Sequence, residues 1–313
     1  MTVAVLALAC AAMVLVAAIT SALVGGAEVS GGGLLRRLDA RSRLRVVMVA
    51  VAAPGAIALA VVVASLLASV LVGDHCAVHD DHHPHLCFAH ARLGQRPALV
   101  VVIGLAAVRW VVAAASAAMR SWRSWRTERA LAALGGDGAG ARVVDGMPPF
   151  AATMGWLRPR AYVSAAVPAG LRPIVIAHER SHVRNRDPAV RVLAELVLAF
   201  HLPGISGRLR RALYAAQEAR ADADAVHEIG DPVAVADALV RFARLRSVSM
   251  GGAAAGFEGD VVTRVEELLE WRRRPSLGLR WIAVSAAAGG AALLTASDAV
   301  HHAVETLLGL FGG

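Results

Sequence analysis

The sequence predicts a mainly α-helical membrane protein: four transmembrane helices, with an α+β domain inserted between the third and the fourth. Three observations carry that reading. The chain is 57% hydrophobic with a mean hydropathy of +0.57, well above a soluble domain. Four stretches are apolar enough to cross a bilayer, at 3–24, 46–72, 97–119 and 281–296, the last of them short. Between the third and fourth lies a more polar segment in which short alternating runs precede amphipathic ones, as in a small sheet followed by helices. The chain accordingly divides into a three-span region at 1–119, an inserted domain at 120–278, and a fourth span with a short tail at 279–313.

The first stretch has no basic segment ahead of it and is long for a cleaved signal, so a retained anchor is expected, with Cys10 packed inside it. Arginine sets the topology, because the chain has no lysine. Arg36, Arg37, Arg41, Arg43 and Arg45 lie between the first two spans. Arg120, Arg123, Arg126 and Arg129 follow the third, and Arg272, Arg273, Arg274 and Arg280 precede the fourth. All three clusters are expected on the cytoplasmic side, together with the inserted domain. The amino terminus, the 74–96 loop and the carboxyl tail are then outside. On this layout the formal charge of +8 reflects topology and contact with plasma-membrane lipid headgroups, and direct nucleic-acid binding is not expected.

The 74–96 loop holds half of the 12 histidines and, in Cys76 and Cys87, two of the 3 cysteines. In an extracytoplasmic loop these two cysteines are expected to form a disulfide. The histidines have three open readings: a zinc, copper or nickel site, a pH sensor, or an unstructured polar loop. Arg109, mid-way through the third span, faces the bundle interior or snorkels to its edge, or else serves as a coupling residue. Trp122 and Trp125, with their arginines, read as an interfacial helix leaving that span.

Residues 135–140 are glycine-rich and read as a flexible link. The 143–167 segment alternates enough for two or three strands. Its best one, 160–167, is expected at the sheet edge, where an extended peptide can add as a further strand. Arg172 and Pro173 open a helix whose inner side carries Ile174, Val175 and Ala177. Asp187 as N-cap and Pro188 as first residue open the next, through Val190, Val192, Leu193, Leu196 and Val197. Pro203 and Gly204 end it, and another helix starts near Gly207. Asp231 and Pro232 cap a helix reaching about Leu245. A last one, after glycine-rich 249–256, carries Glu266, Glu267 and Glu270 on a solvated face.

The chemistry concentrates in His178-Glu179-Arg180-Ser181-His182, an HExxH pentapeptide. On a helix, His178 and His182 project from one face and can grip a single metal. Glu179 stands about 100° round from His178, close enough to take a proton from a metal-bound water without being a ligand. The bland alternative is a surface helix that happens to carry two histidines. Chance supplies roughly 0.02 such pentapeptides in a chain of this composition, so that alternative is weak. A catalytic zinc normally takes three protein ligands and keeps one open position. Downstream, Glu218 and Asp222 share a helix face. Glu218 is the expected third ligand, with Asp222 behind it as the carboxylate that orients a ligand histidine. Asp224 and Glu228 read as a solvated acidic face. His201 and His227 are unassigned, each either near a reacting oxyanion or structural.

Taken together, Trp156-Leu157-Arg158-Pro159-Arg160-Ala161-Tyr162-Val163-Ser164, Ala177 with the HExxH run, Arg186-Asp187-Pro188, and Glu218 with Asp222 resemble the M56 family. These are the membrane metallopeptidases typified by the β-lactam and methicillin sensor-transducers of bacteria. The resemblance covers roughly 143–226 and the layout of spans. It implies a gluzincin-type domain, a small sheet over the HExxH helix, in a multi-pass protein of the bacterial cell membrane with a cytoplasmic active site. It implies that His178, His182 and Glu218 bind zinc, that Glu179 is the general base and that Asp222 is the supporting carboxylate. Its implied substrate is a winged-helix transcriptional repressor. The best-known members carry a penicillin-binding sensor after the fourth span. Here the segment after 296 is short and has no Ser-x-x-Lys motif, so β-lactam sensing is not expected.

The expected activity is that of a membrane zinc endopeptidase acting on a protein or peptide substrate in signal-responsive proteolysis. One alternative is quality-control proteolysis of membrane proteins, as in the M48 family, whose spans are arranged differently around HExxH. The other is a metal-sensing receptor without proteolysis, in which Glu179 would have no task.

Overall fold

The computed structural model describes residues 2–71, 97–137, 140–249, 255–272 and 274–310. It is mostly helical, with one small sheet. Helices α1 (Thr2–Leu35), α2 (Ala40–Leu71) and α3 (Pro97–Leu134) contain apolar spans of 24, 28 and 38 residues, against roughly 20 needed to cross a bilayer. The α3 helix continues unbroken past Arg129, so Trp122 and Trp125 lie on the span's own extension and not on a separate interfacial helix. Arg126 and Arg129, each one turn further on, cover these two rings at 4.9 and 4.2 Å. Cys10 is exposed on the surface of α1 and is not a packing residue. Cys76, Cys87 and the histidine-rich loop lie outside the described residues.

The short fourth stretch forms α9 (Leu279–Thr295), and what was expected as a tail forms α10 (Ser297–Gly309) at 79° to it. The bent pair amounts to one further span at most. Val304 and Leu308 of α10 pack with Val5 and Leu8 of α1, Val62 of α2 and Leu99 of α3, closing one end of the bundle.

The inserted domain begins with a sheet of β1 (Gly135–Asp137), β2 (Arg142–Val144), β3 (Ala151–Met154) and β4 (Arg160–Ser164), in the order β1-β2-β4-β3. Glycines expected as a flexible link therefore pair, with Gly135 opposite Val144. The expected edge strand is central instead: β4 pairs in parallel with β2 and antiparallel with β3. The reason is burial on both faces. Ala161 and Val163 pack toward the next helix, while Tyr162 packs with Leu131 of α3 and Val144. The edge nearest the HExxH helix is β3.

Helix α4 (Arg172–Arg184) carries the HExxH run, as its Arg-Pro start predicts. A turn through Asn185 and Arg186 leads to α5 (Asp187–Val197), a 3₁₀ turn (Leu198–Phe200) and α6 (Pro203–Ile229), so Pro203 opens α6 where Gly207 was the expected start. Helix α7 (Pro232–Ser249) is capped by Asp231 as expected, its Oδ1 accepting from the Val233 and Ala234 amides at 2.8 and 3.1 Å. Helix α8 (Ala255–Leu269) closes the domain.

The domain is not separate from the spans. Leu44, Val47 and Val51 of α2 share a core with Ala194 and Leu198, and with Leu209 and Leu213 of α6. The corner from α5 to α6 sits among all three long helices. Its His201 ring bridges the Ser21 hydroxyl of α1 (3.2 Å) and the Val51 carbonyl of α2 (3.0 Å). Arg109 of α3 donates to the Ala199, Leu198 and His201 carbonyls at 2.9, 3.3 and 2.6 Å and to the Ser206 hydroxyl at 3.3 Å. Its charge therefore faces the bundle interior at a helix end, where the guanidinium supplies donors to the terminal carbonyls; that of Leu198 also accepts from the His201 amide at 3.1 Å. Glycine permits a close approach at two of the contacts. A Cβ on Gly55 would meet the Phe200 ring at 2.8 Å, and one on Gly25 would meet Ile205 at 2.6 Å.

Candidate metal centre

Helices α4 and α6 approach closely because alanine lines their crossing: Ala177 on one, Ala221 and Ala225 on the other, all fully buried. That approach brings the three expected donors together. The Nε2 atoms of His178 and His182 lie 3.1 Å apart. Glu218 places Oε2 3.3 Å from His178 Nε2 and Oε1 3.5 Å from His182 Nε2. This trio is a group able to hold a metal ion.

Each histidine turns its other nitrogen to a buried carboxylate. His178 Nδ1 donates to Asp222 Oδ1 at 2.9 Å, the role expected of Asp222. His182 Nδ1 donates to Asp187 Oδ2 at 2.6 Å. Both contacts fix ring orientation and leave Nε2 pointing inward. Arginines hold the carboxylates in turn: Arg264 grips both oxygens of Asp222 at 2.7 Å, and Arg220 bonds Asp187. Arg191 Nη2 and Arg264 Nη1 also reach Glu218, at 3.0 and 3.3 Å.

These contacts set the charges. Burial opposes ionisation of Glu218, yet the His178 hydrogen bond and the charges of His178, His182 and Arg264 hold its carboxyl well below the usual range. Burial likewise opposes ionisation of Asp222, and Arg264 outweighs it, bringing the carboxyl down to about 2. Burial depresses the His178 imidazole, but its hydrogen bonds to Asp222 and Glu218 prevail and raise it to about 10.

Glu179 is buried beside the histidines without joining the donor trio. The Thr153 hydroxyl of β3 lies 2.7 Å from Glu179 Oε2, to which it donates, and 3.0 Å from the Glu179 carbonyl oxygen. The register explains this contact: Thr153 lies opposite Ala161, so both face α4. His178, Glu179 and Glu218 border a cavity of about 100 Å³ whose other walls include Ala151 of β3 and Ala238, Leu239 and Phe242 of α7. A fixed carboxylate, a donor trio and an apolar recess thus meet in one place.

Other residues settle differently from their sequence reading. Asp187 is not an N-cap. Arg186 occupies that position with a φ of 52°, the one positive φ outside glycine among the described residues, and this turn aims Asp187 back at His182. Asp224 is not solvated: it is buried, accepts from the Ser181 hydroxyl at 2.6 Å, and pairs with Arg41 at 2.9 Å. Glu228 is exposed, as expected, and meets Arg180 at 3.0 Å. Glu266 and Glu270 are exposed as well, whereas Glu267 forms a two-bond pair with Arg43 at 2.9 and 3.1 Å. His201 belongs to the corner among the spans. His227 is exposed and lies edge-on to Trp271, with ring centroids 6.0 Å apart. Neither joins the donor trio.

Asp187→Asn should therefore weaken metal binding about 10- to 100-fold, since the amide cannot orient and polarise His182 as the carboxylate does. Competition against a chromogenic zinc chelator measures the loss, and unchanged affinity would refute the orienting role. No known family model, curated protein or solved structure matches this chain.

Proposed function

We propose that the chain is an integral-membrane zinc endopeptidase of the gluzincin type, related to the M56 metallopeptidases its motifs resemble. The spacing of the donors carries the reading. Zinc held tetrahedrally at 2.0–2.2 Å needs donor atoms about 3.3–3.6 Å apart. The two Nε2 atoms stand 3.1 Å apart, His178 Nε2 lies 3.3 Å from Glu218 Oε2 and His182 Nε2 3.5 Å from Glu218 Oε1, and one ligand atom from each residue lies within 4.8 Å of the others. Two imidazoles and one carboxylate, each braced from behind, are a hydrolytic zinc set that keeps one position open. Zinc bound there supplies Lewis acidity toward a peptide carbonyl and a water of lowered pKa.

The protein's own groups do the rest. Glu179, oriented by Thr153, accepts the proton of the attacking water and returns it to the leaving amine. Asp222 and Asp187 keep both imidazoles in the tautomer that presents Nε2. The outer edge of β3 runs beside Glu179 and can take an extended peptide as a fifth strand, its side chains alternating toward the cavity. A structural zinc site would not need Glu179, which argues against the metal-sensing receptor.

The proposed substrate is a cytoplasmic protein, a winged-helix repressor by resemblance. The arginine clusters favour a cytoplasmic domain by the positive-inside rule, and Arg41, Arg43 and Arg120 reach carboxylates of that same domain, at 2.9, 2.9 and 3.1 Å. A second reading, proteolysis of membrane proteins, is favoured by the packing of α6 on α2, which keeps the centre close to the bilayer. The purified full chain should contain about one zinc, and His178→Ala and His182→Ala should contain none, by mass-spectrometric metal analysis. New protein termini should appear in cells making the wild type; their absence under every inducing condition would overturn the protease reading.

A further inference from the structure

A second, larger cavity, of about 980 Å³, lies against a stripe of α6 adjacent to the one bearing Glu218 and Asp222. Its opposite wall is the start of α2. Arg41, Leu44, Arg45 and Met48 are spaced i, i+3, i+4 and i+7, so they form one helix face. That face is ordered: arginines in the first turns, then apolar side chains running into the span. Arg41 and Met48 are about 10 Å apart along the axis.

The polar end carries excess positive charge. Arg41 and Arg184 share a single carboxylate, Asp224, at 2.9 and 3.6 Å, and both side chains are more than half exposed. Among the described residues Arg45 donates only to a backbone carbonyl, that of Leu277, at 2.9 Å. Glu228, the other exposed acid on the rim, is engaged by Arg180. A second observation points the same way. Gln217, Arg220 and Asp187 border the cavity and are buried, yet among the described residues Gln217 Nε2 and Arg220 Nε have no acceptor, and Asp187 Oδ1 has no donor. Buried donors of this kind are rare and call for an acceptor.

We propose that this cavity binds an anionic glycerophospholipid from the surrounding membrane. The phosphate lies among Arg41, Arg45 and Arg184, the glycerol esters lie toward Gln217 and Arg220, and an acyl chain follows Leu44 and Met48 into the bilayer. Basic recesses between membrane helices bind headgroups in this way. The proposal does not rest on the hydrolytic reading: none of these residues is a metal donor or a base, although Arg220 also bonds Asp187, which lines the same cavity and braces His182 from behind.

Native mass spectrometry of the full chain tests it. The delipidated protein in detergent is offered equal amounts of phosphatidylglycerol and phosphatidylcholine with matched acyl chains. Phosphatidylglycerol should be the adduct retained, and Arg45→Gln and Arg184→Gln should each reduce its retention about fivefold. Arg184 is exposed, so its replacement leaves the fold intact, and circular dichroism checks this. Equal retention of the two lipids by the wild type would overturn the proposal, whatever the variants do. So would unchanged retention in both variants. Displacement of the lipid by millimolar glycerol 1-phosphate would assign the cavity to soluble phosphates instead.

Discussion

On the proposed zinc-endopeptidase reading, the Glu179→Gln protein should hold about one zinc per chain and lose proteolysis by a factor of roughly 10²–10⁴, the range that a positioned general base contributes. The substitution is nearly isosteric. Its amide can still accept from the Thr153 hydroxyl, which sits 2.7 Å from Oε2 in the wild type, so the local fold has no cause to change. The donor trio excludes Glu179, so metal affinity should be unaltered. What disappears is a group able to take and return a proton. Turnover should fall while KM stays within a few-fold, measured on any substrate whose cleavage depends on the wild type. Loss of zinc along with activity would make Glu179 a ligand, and full retained activity would remove it from the mechanism.

Arg109→Leu should be the most destabilising single change in the spans. Removing the guanidinium strips the buried Ala199 and His201 carbonyls of their donor and leaves the Leu198 carbonyl only the His201 amide. Each buried acceptor left unmatched costs about 1–3 kcal/mol, so with two of them a loss of roughly 2 kcal/mol or more is expected. Thermal unfolding of the detergent-solubilised protein should shift down clearly, and metal should be released at a lower temperature, since the corner opens directly into α6 and Glu218. Arg109→Lys should recover only part, because an ammonium cannot fan its donors over four oxygens. An unshifted melting curve for Arg109→Leu would show that water or lipid satisfies those carbonyls instead.

The donors were readable in the sequence because helical spacing is local: residues four apart share a face whatever the tertiary fold, which identified His178 with His182 and Glu218 with Asp222. Other parts of the centre depend on non-local pairing. Arg264 lies 42 residues from the Asp222 it grips, and nothing in its neighbourhood marks it out from the other arginines. Thr153 faces Glu179 only because β3 flanks β4 in a particular register. Asp187 was hidden by its setting: Asp-Pro is the ordinary grammar of a helix start, so its carboxylate was assigned to its own backbone. The positive φ at Arg186 turns it elsewhere, and composition does not encode that turn. One clue did exist for the strand order. Ala161, Tyr162, Val163 and Ser164 contain no charge on either face, the mark of a strand buried on both sides.

The corner between α5 and α6 also bears on how the chain is assembled. Ser21, Val51 and Arg109 are synthesised before residues 198–206, so the slot that receives the corner can exist before the corner does. The spans can act as a template on which the helices carrying the donor trio complete their fold. Residues 120–278 form a unit by composition, but expressed alone they would carry the His201 ring without its partners on α1 and α2 and the Ala199 and His201 carbonyls without the Arg109 donor. A soluble excised domain is therefore a poor surrogate for this protein, and assembly of the metal centre reports on correct insertion of the three helices that precede it.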